Sequence, residues 1–206
     1  MAVTWKYLRS YARNDDSLAG AANVIALLVA SSQPFYPLYV QWSVGPTIWP
    51  TFYTFLSTPF FLLVPAVGRL NSLAGRALLP LAGIGNTVLS TAVFGIASGV
   101  EVFLIPCALI ACLLFRPDER LASYALVLLA ILSFTVLRGF YGTPVHVYSA
   151  EEYAGFVALN AFSAGMLSCF VGLLGSRLIA EAGGKAPMST GAGETPRESR
   201  SSPRSR

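Results

Sequence analysis

The feature that most constrains this chain is a long stretch without charge. Residues 21–68 contain no Asp, Glu, Lys or Arg. Over the whole chain 54% of residues are hydrophobic and only 12% are charged, compared with about 25% charged in soluble domains. A water-soluble fold of this size places charged side chains on its surface at shorter intervals. The pattern is therefore typical of a protein whose solvent is lipid.

Six apolar runs follow one another along the chain. A helix needs about 20 residues to cross the ~30 Å hydrocarbon layer of a bilayer, and such runs are predicted near 18–42, 47–68, 76–98, 100–115, 121–140 and 152–178. The predicted fold class is an all-α integral membrane protein with about six transmembrane helices in one bundle.

Composition changes on either side of these runs. Residues 1–17 mix aromatic and basic side chains, which suits an interfacial N-terminal arm. The six-helix transmembrane domain is predicted over 18–179. Residues 180–206 are rich in Gly, Ser, Pro and Arg and have no apolar periodicity, so a disordered cytoplasmic tail is predicted there.

The basic residues predict how the helices are oriented. Cytoplasmic loops of membrane proteins carry an excess of Lys and Arg. Sorting the 14 Lys and Arg residues by alternate loops puts thirteen on the side of both termini and one, Arg138, on the other. Cytoplasmic termini are therefore predicted. The net charge of +4 is then a consequence of topology, and no nucleic acid is expected as a partner.

The chain lacks the patterns of common catalytic sites. It contains no GxSxG, HExxH or phosphate-binding glycine loop. It has one histidine, and its three cysteines include no CxxC pair, so neither a Cys/His metal site nor a disulfide is predicted. Ion-coupled transport is disfavoured because it usually needs ionisable groups at membrane depth. We expect a non-enzymatic protein without a cofactor or a bound metal.

The helix ends opposite the termini gather aromatic and polar side chains. Most of these residues are explained as an ordinary interfacial belt, and Glu101 beside a helix N-terminus is explained by the helix dipole. Arg138 is the single basic residue expected on this side, among three acidic residues. The functional alternative is a shallow pocket for a small ligand, with candidate residues Arg138, Glu101, His146, Tyr141 and Trp42.

The last apolar run carries small residues at intervals of three or four, including Gly155, Gly165 and Gly172. Small side chains let helix backbones approach closely in a membrane. Packing inside the monomer and a homodimer interface both remain open as explanations. The expected partners are the lipid bilayer and either a second copy of the chain or another membrane or cytoplasmic protein.

The fourth run and the loop after it resemble a known membrane module. Residues 99–106 read GVEVFLIP and residues 114–120 read LFRPDER. Together with the layout of residues 1–180, they resemble the six-helix modules at the N-terminus of bacterial class III adenylate cyclases and of some sensor kinases and diguanylate cyclases. The resemblance implies a sensory or regulatory input domain in the bacterial cytoplasmic (inner) membrane, whose sixth helix passes a signal to a cytoplasmic catalytic domain.

In this chain a short tail stands in the place of that catalytic domain. The resemblance therefore carries over no enzymatic activity, and the predicted function is a sensory or regulatory membrane module that acts through a partner. The alternative is a small solute carrier, or an accessory subunit of a larger membrane complex. A carrier needs a polar path through the membrane, whereas an input module needs a ligand or a partner.

Overall fold

The computed structural model describes residues 10–184, and all regular structure in this part of the chain is helical. A helical turn over residues 10–12 comes first. From Ser17 onward we number the α-helices α1 (Ser17–Ser32), α2 (Tyr36–Ser43), α3 (Thr58–Leu70), α4 (Ser72–Phe94), α5 (Leu104–Leu113), α6 (Arg120–Thr135) and α7 (Ala150–Gly184). Short 3₁₀ segments extend or join several of them.

The described part of the chain has five helical segments that are long and apolar enough to cross a membrane. They are Ser17–Ser43, Trp49–Leu70, Ser72–Phe94, Pro117–Gly139 and Ala150–Glu181. A shorter apolar helix, Val100–Leu113, lies between the third and fourth of these. The predicted fold class, an all-α integral membrane protein with about six transmembrane helices in one bundle, is confirmed, with five segments of spanning length and one shorter apolar helix in the described residues.

Two glycines set the boundary between the third and fourth runs. The third run is predicted to reach residue 98, but α4 ends at Phe94 because Gly95 has a φ of 83°. Gly99 has a φ of 65°, and a Cβ placed on it would lie 3.1 Å from Val157. Residues other than glycine rarely adopt these backbone angles. The chain therefore turns twice here, and the helix that follows is short.

Small residues bring α1 against α3 and α4. Ala22 and Ala26 on α1 are fully buried, and they pack in one cluster with Phe61 and Leu79. Helices α3 and α4 also approach each other closely beside the turn that joins them, because a Cβ added to Gly75 on α4 would lie 2.4 Å from Cα of Gly68 on α3. Close approach of backbones is the usual packing mode of membrane helices.

Successive apolar segments run in opposite directions, with α1 and α2 forming one such segment, so the bundle has two distinct ends. We call one the Arg76 end; it holds the starts of α1 and α4 and the loop before α6. We call the other the Arg138 end; there Val145 N–H donates to the carbonyl of Val93 at 3.0 Å. The side of the membrane that each end faces remains a prediction.

Helix α7 is the longest element, with 35 residues, or about 52 Å at 1.5 Å per residue. It begins two residues before the predicted run 152–178 and continues six residues beyond it, to Gly184. Most of the predicted tail, and the predicted arm up to residue 9, lie outside the described residues.

Candidate functional site

Three of the five predicted ligand residues lie together at the Arg138 end. Arg138 belongs to the 3₁₀ turn Leu137–Gly139 after α6, and its Nε is 3.3 Å from Oε2 of Glu101. The Glu101 side chain is 5% exposed and the Arg138 side chain is 50% exposed. Within the described chain, Oε1 of Glu101 has no hydrogen-bond partner. Arg138 therefore pairs with one oxygen of the buried Glu101 carboxylate, and the other oxygen, Oε1, has no partner among the described residues.

Tyr141 is the third member of this group. Burial raises the pKa of its phenol, and the nearby Glu101 carboxylate raises it further, whereas a hydrogen bond with the Thr91 hydroxyl lowers it. The phenol therefore keeps its proton over the physiological range. Arg138, Glu101 and Tyr141 together offer one cation, one carboxylate and one neutral hydroxyl.

The other two predicted ligand residues lie elsewhere at the same end. The His146 ring packs edge to face on Tyr148, with 4.6 Å between ring centroids, and Tyr148 Oη donates to the carbonyl of Thr47 at 3.1 Å. Trp42 is 89% exposed on α2. Among the described residues, neither His146 nor Trp42 makes a hydrogen bond or an ion pair with the Arg138–Glu101 pair.

A second candidate site lies inside the bundle. A cleft of about 870 Å³ opens between α1–α2, α4, the Val100–Leu113 segment and α7; we call it the intramembrane cleft. Most of its lining is apolar. Its polar or hydroxyl-bearing members are Ser32, Gln33, Tyr36, Tyr39, Ser43, Thr54, Asn86, Thr87, Ser90 and Ser163. Trp42 and Gly155 also border it. A volume of this size is in the range of small-molecule sites.

One wall of this region is an unusually long 3₁₀ helix, Trp49–Ser57, of nine residues. Such runs seldom exceed four residues, and their three-residue turn places every third side chain on one face. That face is buried and carries Thr51, Thr54 and Ser57, whose hydroxyls donate to the carbonyls three residues earlier at 2.5–2.7 Å. We call these three hydrogen-bonded hydroxyls the hydroxyl ladder, and the repeat T-x-x-T-x-x-S is its signature in the sequence.

The hydroxyl ladder supports a polar network at membrane depth. Gln33 Nε2 donates to Ser57 Oγ at 2.7 Å, and Thr58 Oγ1 donates to Gln33 Oε1 at 2.5 Å. Ser57 Oγ is also 2.8 Å from Oδ1 of Asn86. Gln33 is thus fixed by partners on both sides of its amide, and Asn86 lies at the edge of the network beside the cleft.

The three predicted packing glycines have different surroundings. A Cβ added to Gly155 would lie 2.4 Å from the carbonyl oxygen of Ser43, so α7 and the end of α2 touch backbone to backbone there. A Cβ added to Gly165 or Gly172 would meet nothing within 4 Å. Gly155 therefore lies in a contact within the monomer, whereas the other two face the surface of the described bundle.

Sequence reasoning missed the ion network at the Arg76 end. It placed Arg76 at the end of the predicted run 76–98 and counted it as a charge of the adjoining loop, but the side chain is 1% exposed. Its Nη1 and Nη2 each donate to a carboxylate oxygen of Glu119 at 2.6 Å, and Nη1 also donates to the carbonyl of Leu114 at 2.8 Å. Asp16 joins through Arg116, at 2.9 Å, and through a hydrogen bond from Ser72.

A signal for this network is present in the LFRPDER segment. Glu119 accepts from the backbone N–H of Arg116 at 2.9 Å and so caps its own turn, while its oxygens hold Arg76. The network ties together the starts of α1, α4 and α6, and its role in this structure is architectural.

The fold and these two sites define a class: a multi-pass helical membrane protein with ligand-sized space inside its bundle. Comparison with protein families narrows the class, because residues 8–183 match the family model MASE7. The chain belongs to the MASE7 family of membrane-associated sensor domains. Comparisons with curated proteins and with solved structures found no match.

Proposed function

We propose that this chain is a non-enzymatic sensory module that acts through a partner protein, with α7 as the element that carries the signal. The observation that supports this most directly is the course of α7. One continuous helix borders the intramembrane cleft through Ala158 and Ser163 and continues to Gly184 at the Arg76 end. At about 52 Å it is longer than the ~30 Å hydrocarbon layer.

The same helix also touches the element that holds the Arg138–Glu101 pair. Val157 of α7 packs on Gly99, and Asn160 Nδ2 donates to the carbonyl of Ser98 at 3.0 Å. A ligand at either candidate site would therefore contact α7 or its immediate neighbours. A shift or rotation of such a helix is a common form of signalling transition.

The partner in this proposal is a cytoplasmic catalytic protein. The resemblance to the input modules of adenylate cyclases, sensor kinases and diguanylate cyclases supports this choice, as does membership of a family of membrane-associated sensor domains. The proposal includes the bacterial cytoplasmic (inner) membrane and cytoplasmic termini. In this orientation α7 delivers its C-terminal end to the cytoplasm.

One observation favours a second candidate function, a small solute carrier. Gln33, Ser57 and Asn86 form a neutral polar network at membrane depth beside a cleft, and a carrier needs polar groups along its path. Reconstitution in liposomes distinguishes the two functions, since a sensory module binds or regulates without moving solute.

The test is to identify what co-purifies from native membranes and to measure its catalytic activity in liposomes with and without this chain. Leu173→Pro interrupts α7 beyond the cleft at a side chain that is 69% exposed, and proline breaks a helix interior. Leu173→Ala is the matched control. We expect regulation to be lost only in the proline variant. Equal regulation by both variants, or solute flux through the wild type, would contradict the proposal.

A further inference from the structure

We propose that the intramembrane cleft binds a neutral, lipid-soluble molecule that has a hydrocarbon chain and a carbonyl-type hydrogen-bond acceptor. The inference goes beyond the proposed function because it names the chemistry of a ligand and where it binds. It depends on the lining of the cleft and not on whether a partner responds.

The first argument is an unpartnered hydroxyl. Tyr36 is one of the residues that line the cleft, and its Oη is buried and has no hydrogen-bond partner in the described chain. A buried polar group without a partner costs free energy. The Tyr36 ring is held edge to face against Phe94, with 6.2 Å between centroids. A ligand oxygen placed in the cleft would satisfy this phenol.

The second argument is the Asn86 amide. The Ser57 hydroxyl has a single proton, and it lies within reach of both the Thr54 carbonyl, at 2.7 Å, and Asn86 Oδ1, at 2.8 Å. If the proton goes to Thr54, an Asn86 amide turned the other way donates one of its two N–H groups to Ser57. In either orientation at least one N–H of Asn86, a residue that lines the cleft, has no hydrogen-bond partner in the described chain.

The third argument is the absence of charge. Every residue that lines the cleft is uncharged, and the cleft lies between segments that are apolar enough to cross a membrane. An ionic ligand at this depth would have no counter-charge. Neutral donors in an apolar cleft are instead suited to a neutral acceptor such as a carbonyl oxygen.

The fourth argument is the position of the opening. Side chains at its rim remain exposed, among them Phe162 at 69% and Met166 at 57% on α7 and Leu28 at 43% on α1. Apolar side chains exposed on a membrane helix face hydrocarbon, so the cleft opens to the lipid. The ligand therefore enters from the bilayer, and its chain lies against these residues.

The test uses the full-length chain in lipid nanodiscs and a photoreactive long-chain methyl ketone as probe. Competition is measured with 2-tridecanone, with tridecane, which lacks the carbonyl, and with tetradecanoate, which is charged. We expect the ketone to compete, tridecane to compete at least tenfold more weakly, and labelled peptides to come from α1, α4 and α7. Equal competition by tridecane would show that the cleft is filled by hydrocarbon alone, and stronger competition by tetradecanoate would overturn the neutral ligand.

Variants locate the contact. Tyr36→Phe removes one hydroxyl and should weaken ketone binding about twofold to tenfold, the range expected for one hydrogen bond. Tyr124→Phe is the matched control, because Tyr124 is exposed on α6 away from the cleft. Ala158→Trp fills the cleft from an exposed position of α7 and should abolish labelling while the protein remains folded. Unchanged binding in Tyr36→Phe and Ala158→Trp would overturn the proposal. Ketone binding without any effect on a partner would count against the sensory function and leave the site intact.

Discussion

Arg76 and Glu119 form a bidentate ion pair, in which Nη1 and Nη2 of Arg76 each lie 2.6 Å from a carboxylate oxygen of Glu119. The Arg76 side chain is 1% exposed and the Glu119 side chain 13%. Two parallel hydrogen bonds of this kind fix both the distance and the relative orientation of the two side chains. Because Arg76 belongs to α4 and Glu119 precedes α6, the pair sets the spacing of two helices at one end of the bundle.

Removing one partner of this pair should be strongly destabilising. Arg76→Gln leaves the Glu119 carboxylate without its bidentate partner, and Glu119→Gln leaves the buried Arg76 with only the 3.9 Å ion pair to Asp16 among the described residues; breaking a buried ion pair typically costs about 3–5 kcal/mol. The double variant should recover part of the loss because no unpaired charge remains. Thermal unfolding in detergent measures the effect. Arg120→Gln, at an exposed arginine, is the control, and single variants as stable as this control would show that the pair is not structural.

The Arg76 end should also lose stability in acid. Burial opposes ionisation of Asp16, but the hydrogen bonds from Ser72 and the Leu18 N–H, with the guanidinium groups of Arg116 and Arg76, outweigh it and lower the pKa of Asp16. A carboxylate whose pKa is lower in the folded state stabilises the fold above its unfolded pKa of about 3.9. This stabilisation is lost as the pH falls through the folded value.

The melting temperature should therefore fall between about pH 5 and pH 2. Asp16→Asn should be less stable than wild type at pH 7 and should lose less stability on acidification. Asp15→Asn is the control at the neighbouring position. Parallel pH profiles for wild type and Asp16→Asn would contradict the assignment to Asp16.

Topology is a separate prediction, from the distribution of basic residues. Reporter fusions after Arg69 and after Arg120 should report the cytoplasm, and fusions after Val44 and His146 should report the opposite side. The short Val100–Leu113 helix is the weakest span by length, since it covers only about 23 Å. If this helix did not cross, the fusions after Arg120 and after His146 would both report the opposite side from the one expected. A cytoplasmic signal at His146 alone would contradict the six-span topology.

At the Arg138 end the two members of the pair should respond unequally. Arg138→Gln leaves the buried Glu101 carboxylate without its cation, whereas Glu101→Gln removes the buried charge itself. We expect the first change to cost about 1–3 kcal/mol, the second to cost less, and the double variant to resemble Glu101→Gln alone. These expected costs are measured by thermal unfolding of the wild type, the two single variants and the double variant. Additive effects would mean that the two residues act independently.

The sequence predicted the helical runs well because lipid imposes their length and apolar character. It could not predict the surroundings of Arg76. A count of basic residues by loop treats each as a surface charge, and the partner Glu119 is 43 positions away. The intramembrane cleft was equally hidden, since Gln33, Asn86 and Ser163 come from three separate helices. The Arg138–Glu101 contact is different, because each residue stood out alone as an unusual charge near the same predicted membrane face.

The last prediction concerns the glycines of α7, which the structure divides into two kinds. Gly155→Ala should destabilise the monomer, because its Cβ would lie 2.4 Å from the Ser43 carbonyl oxygen and overpacking typically costs about 1–3 kcal/mol. Gly165→Leu and Gly172→Leu have open space within the monomer, so they should leave its thermal stability unchanged. If the exposed stripe is a homodimer interface, both leucine variants should reduce the yield of a crosslinked dimer in native membranes. Dimer yields equal to wild type in both variants would mean that this face of α7 contacts lipid.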